Sequence, residues 1–442
     1  MLKSKNKNKI KNSYYKYLTL SILSFCLYFM TGCTIPFLSS KPSDITIVYE
    51  SLWEKSGTYE DVFANYKKDN TYVSIDFQDR TATDITAYKA DLLDRLKNKR
   101  NVPDVIRIHV SWLPEFKDYL TPAPADYFTK ETIDSNYYPS VSSLVVYKNA
   151  DNSNYFIYGV PLYYDQLNLV YNTSHFNEAG YKAAPATWEQ FFRNAYFLTK
   201  KDASNQVIRS GAAFGNKDLE FYTDIFGLLL GNANLEFPDS LNSESDSLES
   251  VVRVLNRQTG WNPAFQNSGN AFVSRRVSMA ILPTWRVNDI LSANKDIELA
   301  VAPVPSSRQD RPMNWPTFFV EAVPTSAKDT NESWKLIKYM SSEESAKNIY
   351  SKQVSVRRLP SLPALKNLAA VLDIDPILKS VALDAANSTP GTGSMYSFVM
   401  SDRSGNTPCV EGIKTILGQN SAKILTESSE IIVQACSLNS AK

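Results

Sequence analysis

Few residues in this chain of 442 could carry catalysis or bind a metal ion. The two histidines, His109 and His175, and the four cysteines supply too few soft ligands for a zinc cluster or an iron–sulfur site. No G-x-S-x-G, H-E-x-x-H or phosphate-binding loop motif occurs. The carboxylates of Glu50 and Asp165 could converge in a cleft as the acid pair of a glycoside hydrolase, but no motif supports that chemistry. We therefore predict a protein that is not an enzyme and that uses no cofactor or metal.

Aromatic side chains are the other group that could act on a ligand. They make up 12% of the residues, with 25 tyrosines and 7 tryptophans against 15 glycines. Such rings either fill a core or line a binding surface. Trp188, Trp261 and Trp334 lie in helical or pre-helical patterns, and we interpret them as core residues.

The length and charge of the chain indicate a globular protein with more than one domain. At about 150 residues per domain, the chain would form two or three domains. The 47 basic residues nearly balance the 46 acidic ones, and 43% of the residues are hydrophobic, which excludes a disordered chain.

The first 33 residues are typical of an exported lipoprotein. Six lysines precede an apolar run from Tyr17 to Met30, which is shorter than the about 20 residues needed to span a bilayer. The sequence MTGC at 30–33 resembles the lipobox of bacterial lipoproteins, in which the cysteine is acylated and becomes the new N-terminus. We expect residues 1–32 to be a signal peptide, Cys33 to carry a lipid that attaches the protein to a membrane, and residues 33–43 to be a tether. An uncleaved anchor helix is the alternative.

Cleavage of the signal peptide would change the charge of the protein. It would remove six lysines and no acidic residue, leaving 41 basic and 46 acidic residues. A mildly acidic body has no electrostatic footprint for nucleic acid, so we expect no nucleic-acid partner. Beyond Cys33, Cys409 and Cys436 could form a disulfide outside the cytoplasm or remain as two buried thiols.

Strand and helix patterns alternate from residue 45 onward. Runs of β-branched or alternating apolar residues predict strands at 45–49, 71–77, 105–108, 167–172, 277–282 and 297–304. Periodic apolar segments predict helices at 59–68, 84–98, 188–198, 221–230, 333–340 and 343–350. The first three strands, separated by two helices, favour a parallel sheet. Arg107 is unusual within the third strand, and it must leave the strand at an end or pair with an acid.

Five stretches of the chain have an order and spacing that are typical of one family. They are Val102-Pro103-Asp104-Val105, Tyr158-Gly159-Val160-Pro161 followed by LNLVYN, Pro185-Ala186-Thr187-Trp188-Glu189-Gln190-Phe191, Ala271-Phe272 to Trp285, and Glu321-Ala322-Val323-Pro324 to Ala346. In this arrangement the chain resembles the extracellular solute-binding proteins of ABC importers, and most closely the carbohydrate-binding group that includes maltose-binding protein.

This resemblance implies an α/β protein with the two-lobed periplasmic-binding-protein type II fold. Its mostly parallel sheets would be flanked by helices, and a hinge that the chain crosses three times would join two discontinuous lobes. We expect lobe 1 to comprise residues 44–160 and 320–385, and lobe 2 to comprise residues 165–315 and 390–442. The ligand would lie in the cleft, at the C-terminal ends of the strands, and the lobes would close over it.

The candidate ligand contacts are aromatic and polar residues near predicted strand ends. A sugar needs hydrogen-bond partners for its hydroxyl groups and aromatic rings for its apolar C–H faces. The candidates are Glu50, Trp53, His109, Trp112, Tyr163, Asp165, Trp285, Arg286, Trp315 and Tyr396. By the resemblance, Asp165 matches a sugar-contacting carboxylate and Trp285 matches a tryptophan that stacks on the ligand. Trp315 stands where the family commonly has glycines, which predicts a cleft of different shape.

Other roles are open for several of these candidates. His109 could be a structural histidine, Trp53 and Trp112 could pack in the core of a lobe, and Asp165 could stabilise the hinge. Arg286 could pair with an acid or face solvent.

We expect a lipid-anchored, extracytoplasmic monomer that captures a sugar or oligosaccharide and delivers it to the permease subunits of an ABC importer. The alternatives are the same fold binding a polyamine or a peptide, a surface enzyme acting on glycans, and an adhesin.

Overall fold

The computed structural model describes residues 44–149, 153–215, 219–235, 246–255, 257, 259–265, 267–308, 310 and 312–390. The predicted signal peptide, the lipid-bearing Cys33, the tether, Tyr396, Cys409 and Cys436 lie outside the described residues. None of the described helices has the length and hydropathy needed to cross a membrane.

The strands and helices agree closely with the predicted ones in type and order. The strands are β1 (Ile45–Ser51), β2 (Val73–Asp79), β3 (Val105–His109), β4 (Leu120–Thr121), β5 (Val146–Lys148), β6 (Tyr155–Ile157), β7 (Tyr163–Tyr164), β8 (Leu167–Asn172), β9 (Lys200–Lys201), β10 (Val207–Arg209), β11 (Met279–Pro283), β12 (Leu299–Ala302), β13 (Met313–Asn314), β14 (Phe319–Pro324), β15 (Leu362–Pro363) and β16 (Thr389–Pro390). The helices are α1 (Ser56–Asp69), α2 (Ile85–Asn98), α3 (Leu113–Phe116), α4 (Lys130–Asn136), α5 (Pro139–Val145), α6 (Thr173–Glu178), α7 (Trp188–Leu198), α8 (Tyr222–Asn232), α9 (Asp246–Leu255), α10 (Ser268–Val273), α11 (Thr284–Ala293), α12 (Thr330–Met340), α13 (Glu343–Val356), α14 (Leu368–Val371) and α15 (Pro376–Asn387).

The described residues divide into two units of very different size. The smaller unit holds residues 44–45 and 72–74, in which the Ile45 amide donates a hydrogen bond to the Tyr72 carbonyl at 2.8 Å. The larger unit holds the described residues of 46–71 and 75–390, and it contains the candidate site.

The sheet of the first lobe has the strand order β2-β1-β3-β14-β4. Strands β1 and β3 are parallel, as the alternation of strands and helices predicts. Strand β14 is antiparallel to β3, and its first residue, Phe319, lies beside His109, the last residue of β3. Strand β3 therefore ends at the same edge of the sheet at which β14 begins.

The sheet of the second lobe has the order β11-β8-β12, and both of its pairs are antiparallel. Leu167, at the start of β8, pairs with Pro283, at the end of β11. The first sheet is thus mixed and the second is antiparallel, so the sheets are not mostly parallel, which corrects the prediction on this point. The reason is that β8 and β14 each follow a crossing between the lobes, so that the hinge sets their direction and no crossover helix precedes them.

Three chain segments run side by side between the two sheets. The first follows Val160 and contains β7, and the second comprises residues 315–321. Val160 and Glu321 exchange backbone hydrogen bonds at 3.0 and 2.9 Å, and the Thr317 amide donates to the Asp165 carbonyl at 2.9 Å. The third segment contributes β15, which pairs antiparallel with β7. These segments form the hinge of a two-lobed α/β protein.

Each lobe has its own apolar core. In the second lobe, the Thr187 side chain caps α7 by accepting a hydrogen bond from the Gln190 amide at 3.2 Å, which fixes where the helix begins. The face of α7 turned to the core comprises Trp188, Phe191, Phe192, Ala195 and Leu198. In the first lobe, an aromatic cluster with ring centroids 5.3–6.0 Å apart comprises Tyr49, Tyr59, Phe63 and Phe77.

Helix α15 contacts the sheet of the second lobe. The Ser380 hydroxyl donates to the carbonyl of Val301, on β12, at 3.1 Å. Most of this helix, including Ser380, lies within the range 320–385 that we expect for lobe 1, and the expected lobe boundaries stay a prediction.

Candidate functional site

A cavity of about 520 Å³ lies where β3 and β11 end and β14 begins. This volume is within the range of about 300–1,000 Å³ that is typical of small-molecule sites. The lining residues come from both lobes and from all three hinge segments. They are Trp53, Glu54, Thr81, Arg107, Tyr163, Tyr164, Asp165, Thr284, Trp285, Asn288, Asp289, Thr317, Phe318, Phe319, Arg357, Leu359, Pro360, Ser361 and Leu362.

Two half-buried tryptophans pack against each other in the wall of this cavity. Trp53 follows β1 and Trp285 lies in the first turn of α11, with ring centroids 6.2 Å apart. Phe319 packs edge-on against Trp53 at 5.4 Å, and Phe221 packs edge-on against Trp285 at 5.8 Å. Trp53 and Phe221 both have left-handed backbone conformations, with φ of 61° and 58°. Such strain in bulky residues clusters at ligand sites, where the surrounding structure holds it in place.

The carboxylate of Asp165 fixes the start of the helix that carries Trp285. Its Oδ1 accepts from the Thr284 amide at 2.8 Å, and its Oδ2 accepts from the Trp285 amide at 3.0 Å. Burial raises the pKa of Asp165 to about 7, although these backbone donors act to lower it. Both carboxylate oxygens are thus occupied in orienting the first turn of α11.

Arg107 lies on β3 and reaches the cavity wall. As the sequence requires, it pairs with an acid: its Nη1 donates to Glu321 Oε1 at 2.9 Å and to the Tyr59 hydroxyl at 3.1 Å. Its guanidinium carbon lies over the rings of Tyr163 and Phe319, at 5.1 and 5.4 Å from their centroids. Burial raises the pKa of Glu321, and Arg107 opposes this shift by stabilising the carboxylate.

A segment that follows α13, residues 357–362, lies along one side of the cavity. Arg357 Nη2 forms an ion pair with Glu54 Oε1 at 2.6 Å. The Leu359 amide donates to the side-chain oxygen of Asn288, on α11, at 3.0 Å. This segment therefore connects the first lobe to the helix that carries Trp285.

His109 supports the cavity wall without lining it. The side chain is buried, with Nδ1 2.8 Å from the Ser111 hydroxyl and Nε2 3.1 Å from the Thr317 hydroxyl. Thr317 does line the cavity. The structure thus places the histidine one layer behind the surface that a ligand would touch.

Glu50 and Trp112 lie away from the cavity, in the interior of the first lobe. Glu50 is fully buried between the guanidinium groups of Arg80 and Arg95, at 2.9 and 2.7 Å. The side-chain alternation of β1 turns it towards α2, which carries Arg95. Trp112 is 0% exposed and stacks on Phe116 at 5.8 Å, because a 3₁₀ turn after β3 folds its side chain back into the core.

Arg286 and Trp315 also lie outside the lining, in the second lobe. Arg286 follows Trp285 directly in α11, and its side chain therefore leaves another face of the helix. Its guanidinium forms an ion pair with Glu220 at 3.2 Å. Trp315 is 1% exposed, and its indole N–H donates to Asp224 at 3.1 Å. Its large ring belongs to the core of the lobe rather than to the cleft. Tyr396 lies outside the described residues.

The structure brings together four of the predicted contacts, Trp53, Tyr163, Asp165 and Trp285. It adds lining residues that the sequence did not single out as ligand contacts, foremost Arg107. The signal for Arg107 was present in the sequence as a charged residue within an apolar strand. Residues 357–362 carried no such signal, because their position depends on the third hinge segment. Within the part of the chain that the structure describes, no group of three or more His, Cys, Asp or Glu side chains could hold a metal ion.

A family model supplies the decisive comparison. Residues 61–379 match the model of bacterial extracellular solute-binding proteins. The chain belongs to this family. As a member of an extracellular family, it acts outside the cytoplasm. A multiple sugar-binding protein of Streptococcus mutans serotype c is 22% identical over 326 residues, which cover 70% of this chain and 74% of that protein.

Solved structures show the same fold. The sugar-binding protein MalE from the phytopathogen Xanthomonas citri matches with a TM-score of 0.69 and 19% identity, over 89% of this chain and 98% of that one. An ABC transporter solute-binding protein from Thermotoga lettingae, bound with alpha-D-tagatose, matches with a TM-score of 0.63 and 18% identity, over 89% and 99%. The two-lobed fold and the family that the five sequence stretches predict are confirmed.

Proposed function

We propose that this solute-binding protein captures a sugar or oligosaccharide in the cavity between its lobes and presents it to the permease subunits of an ABC importer. The observation that carries the proposal is the pair of half-buried rings, Trp53 and Trp285, that lie side by side in the cavity wall. Their faces suit the apolar C–H faces of a sugar. Thr284, Thr317 and Arg107 beside them offer partners for its hydroxyl groups.

The names of the relatives support the same ligand class. The matched protein of Streptococcus mutans serotype c is a multiple sugar-binding protein, and the Xanthomonas citri protein is a sugar-binding protein. The Thermotoga lettingae protein was solved with a ketohexose, alpha-D-tagatose. A cavity of about 520 Å³ can accommodate a sugar of this class.

The charges of the cavity favour a sugar over a polyamine. A polyamine needs carboxylates whose charge is not already compensated. Glu54 is paired with Arg357, and Asp165 accepts two backbone amides. Asp289 lies 3.4 Å from the guanidinium of Arg286. The acids at the cavity are therefore engaged by the protein itself.

The position of Glu50 favours binding without hydrolysis. The hydrolase alternative relies on Glu50 and Asp165 as an acid pair, but Glu50 is enclosed by two arginines within the first lobe. We accordingly propose that the protein releases its ligand unchanged. Chromogenic glycosides should release no dye in its presence, and dye release above a buffer blank would favour the enzyme.

We further propose how the protein is held at a membrane, at the cell surface or on the periplasmic face, and how it engages its ligand. Cys33 carries the lipid, residues 33–43 are the tether, and the protein acts as a monomer. Lobe 1 comprises residues 44–160 and 320–385, and lobe 2 comprises residues 165–315 and 390–442. Closure of the lobes about the three hinge segments buries the ligand, and the ligand stabilises the closed state.

A thermal-shift screen over neutral sugars, oligosaccharides, polyamines and peptides tests the ligand class. A ligand that binds only the folded state stabilises it by about 2.7 kcal/mol at a concentration of 100 times its Kd, so the melting temperature should rise with the concentration of a sugar. A rise with a polyamine or a peptide and with no sugar would overturn the proposal.

A further inference from the structure

One charged side chain of the cavity wall, Arg107, has hydrogen-bonding capacity that the protein does not use. The residue is 6% exposed and lines the cavity. A guanidinium has five N–H donors, and the hydrogen bonds of Arg107 to Glu321 and Tyr59 both come from Nη1. Its Nε has no hydrogen-bond partner among the described residues. Because an unpaired buried donor is costly, spare donors beside a cavity indicate that a ligand oxygen completes the set.

The guanidinium of Arg107 is also held in a fixed orientation. It lies between the rings of Tyr163 and Phe319, with centroid distances of 5.1 and 5.4 Å, and both rings line the cavity. Its ion pair with Glu321 fixes one end of the planar group. A preorganised arginine presents its donors in one direction and loses little side-chain entropy when a ligand binds.

Glu321 balances the charge of Arg107 from behind the wall. It is 0% exposed and lies opposite Arg107 in the register of β14 and β3. Its Oε1 is 2.9 Å from Arg107 Nη1, whereas the residue itself is not part of the cavity lining. A ligand therefore meets the donors of a guanidinium whose positive charge is already compensated.

We infer that Arg107 is a specificity-determining residue that donates hydrogen bonds to oxygen atoms of an uncharged sugar, and that Glu321 makes the cavity select neutral sugars over sugar acids. The inference rests on the proposed sugar-binding function. An uncompensated guanidinium would prefer a carboxylate, with which it forms strong bidentate pairs. Because Glu321 compensates the charge, the guanidinium of Arg107 no longer prefers a carboxylate. Its remaining N–H groups can then donate to hydroxyl and ring oxygens of the sugar.

Calorimetric titrations of three proteins test this inference. The wild type, Arg107→Lys and Glu321→Gln are each titrated with the best neutral sugar of the thermal screen and with the uronic acid of the same ring stereochemistry. We expect the wild type to bind the neutral sugar at least about tenfold more tightly than the uronic acid.

Arg107→Lys keeps a charge opposite Glu321 but lacks the planar fork of the guanidinium. Its affinity for the neutral sugar should therefore fall about tenfold, while its melting temperature stays close to that of the wild type. Glu321→Gln unmasks the charge of Arg107 and should shift the preference about tenfold towards the uronic acid.

The double variant Arg107→Gln with Glu321→Gln is the matched control, because it removes both charges and keeps polar groups. It should gain no affinity for the uronic acid. If Glu321→Gln does not fold, two measurements still test the inference. They are the preference of the wild type between the neutral sugar and the uronic acid, and the affinity of Arg107→Lys for the neutral sugar. A wild type that prefers the uronic acid, or an Arg107→Lys protein whose affinity for the neutral sugar stays within about twofold of the wild type, would overturn the inference. A wild type that binds no sugar of either kind contradicts the proposed function instead.

Discussion

Trp285 shows how neighbouring residues can place a single side chain in the ligand site. Two backbone hydrogen bonds to Asp165 fix the turn that carries it, and Phe221 supports one edge of its ring. Trp53 lies beside it in the cavity wall, with ring centroids 6.2 Å apart. We therefore regard Trp285 as the main stacking surface of the proposed site.

Replacement of Trp285 by alanine should weaken sugar binding at least about tenfold. A stacked ring is worth about 0.5–1.5 kcal/mol beyond the area that it buries, and the lost apolar contact adds to this. The melting temperature of the free protein should change by only a few degrees, because the ring lines the cavity and is only half-buried. Equilibrium dialysis with a labelled sugar measures the affinity.

Trp261→Ala is the matched control, since Trp261 is also half-buried but packs against Phe265 outside the cavity. Equal affinities of the two variants would show that Trp285 does not contact the ligand.

Residue types in the sequence indicate which side chains could bind a sugar, but not which way each one points. Trp112 and Trp315 both lie next to strand ends, as Trp53 and Trp285 do. A 3₁₀ turn rotates Trp112 into the first core, and Asp224 draws the indole of Trp315 into the second. The Trp112 ring also contacts Tyr88 of α2 at 6.2 Å. Tyr88 and Asp224 both lie far away in the sequence from the tryptophans that they contact, so no local pattern encodes these directions.

At the scale of elements, helix α11 connects the sheet of the second lobe to the ligand site. It begins where β11 ends, and Asp165, on the first hinge segment, caps it. Asn288, one turn further along, accepts a hydrogen bond from Leu359 of the third hinge segment. Hydrogen bonds thus connect the helix that carries Trp285 to two of the three hinge segments.

The raised pKa of Asp165 predicts a pH dependence of stability. The folded-state pKa is about 7, above the ordinary value of 3.8, so the folded state retains a proton that the unfolded chain releases between these values. The contribution of Asp165 to the free energy of unfolding is fully present below about pH 4 and is lost as the pH rises through about 7. Asp165→Asn lacks this titration, so the wild type should lose stability relative to the variant between about pH 4.5 and pH 7.5.

Urea unfolding of the wild type and of Asp165→Asn at about pH 4.5 and about pH 7.5 measures the difference between their free energies of unfolding. Asp329→Asn is a suitable control, because Asp329 caps α12 by accepting from the Glu332 amide far from the cavity. A difference between wild type and Asp165→Asn that does not vary with pH would show that Asp165 titrates near its ordinary value.

The twelve strands and helices predicted from the sequence all occur, because their apolar periodicity is strong, whereas most of the other described elements are short and show no such pattern. Strand β8 and helix α7 have the predicted bounds, and most others agree within a few residues. The antiparallel directions of β8 and β14 were not predictable in the same way. Each follows a hinge crossing, and the route of the chain between lobes leaves no periodic signal in the strand that follows it.

At the scale of the whole molecule, the protein has two lobes, a three-segment hinge and a cavity between the lobes. The family match over residues 61–379 covers most of this body. The segment before residue 44 predicts attachment to a membrane, and the two-lobed body predicts ligand capture. These two functions can be tested separately.

Cys33→Ser should release the protein from the membrane without affecting its affinity for a sugar. Acylation requires the thiol, and a lipid anchor acts by burying its acyl chains in the bilayer. Fractionation of cells that express the wild type or the variant, with the protein detected by immunoblot, measures the distribution. Wild-type protein in the soluble fraction, or variant protein retained at the membrane, would contradict lipid attachment at Cys33.

Calorimetric titration of the purified protein with the sugars of the thermal screen tests the central claim most directly. The account predicts that at least one neutral sugar or oligosaccharide binds with a stoichiometry of one per chain and with a negative heat-capacity change, because apolar surface of the cavity is buried on binding. A folded protein that gives no binding heat at any tested temperature with every sugar of the screen, or that binds a polyamine or a peptide instead, would contradict it.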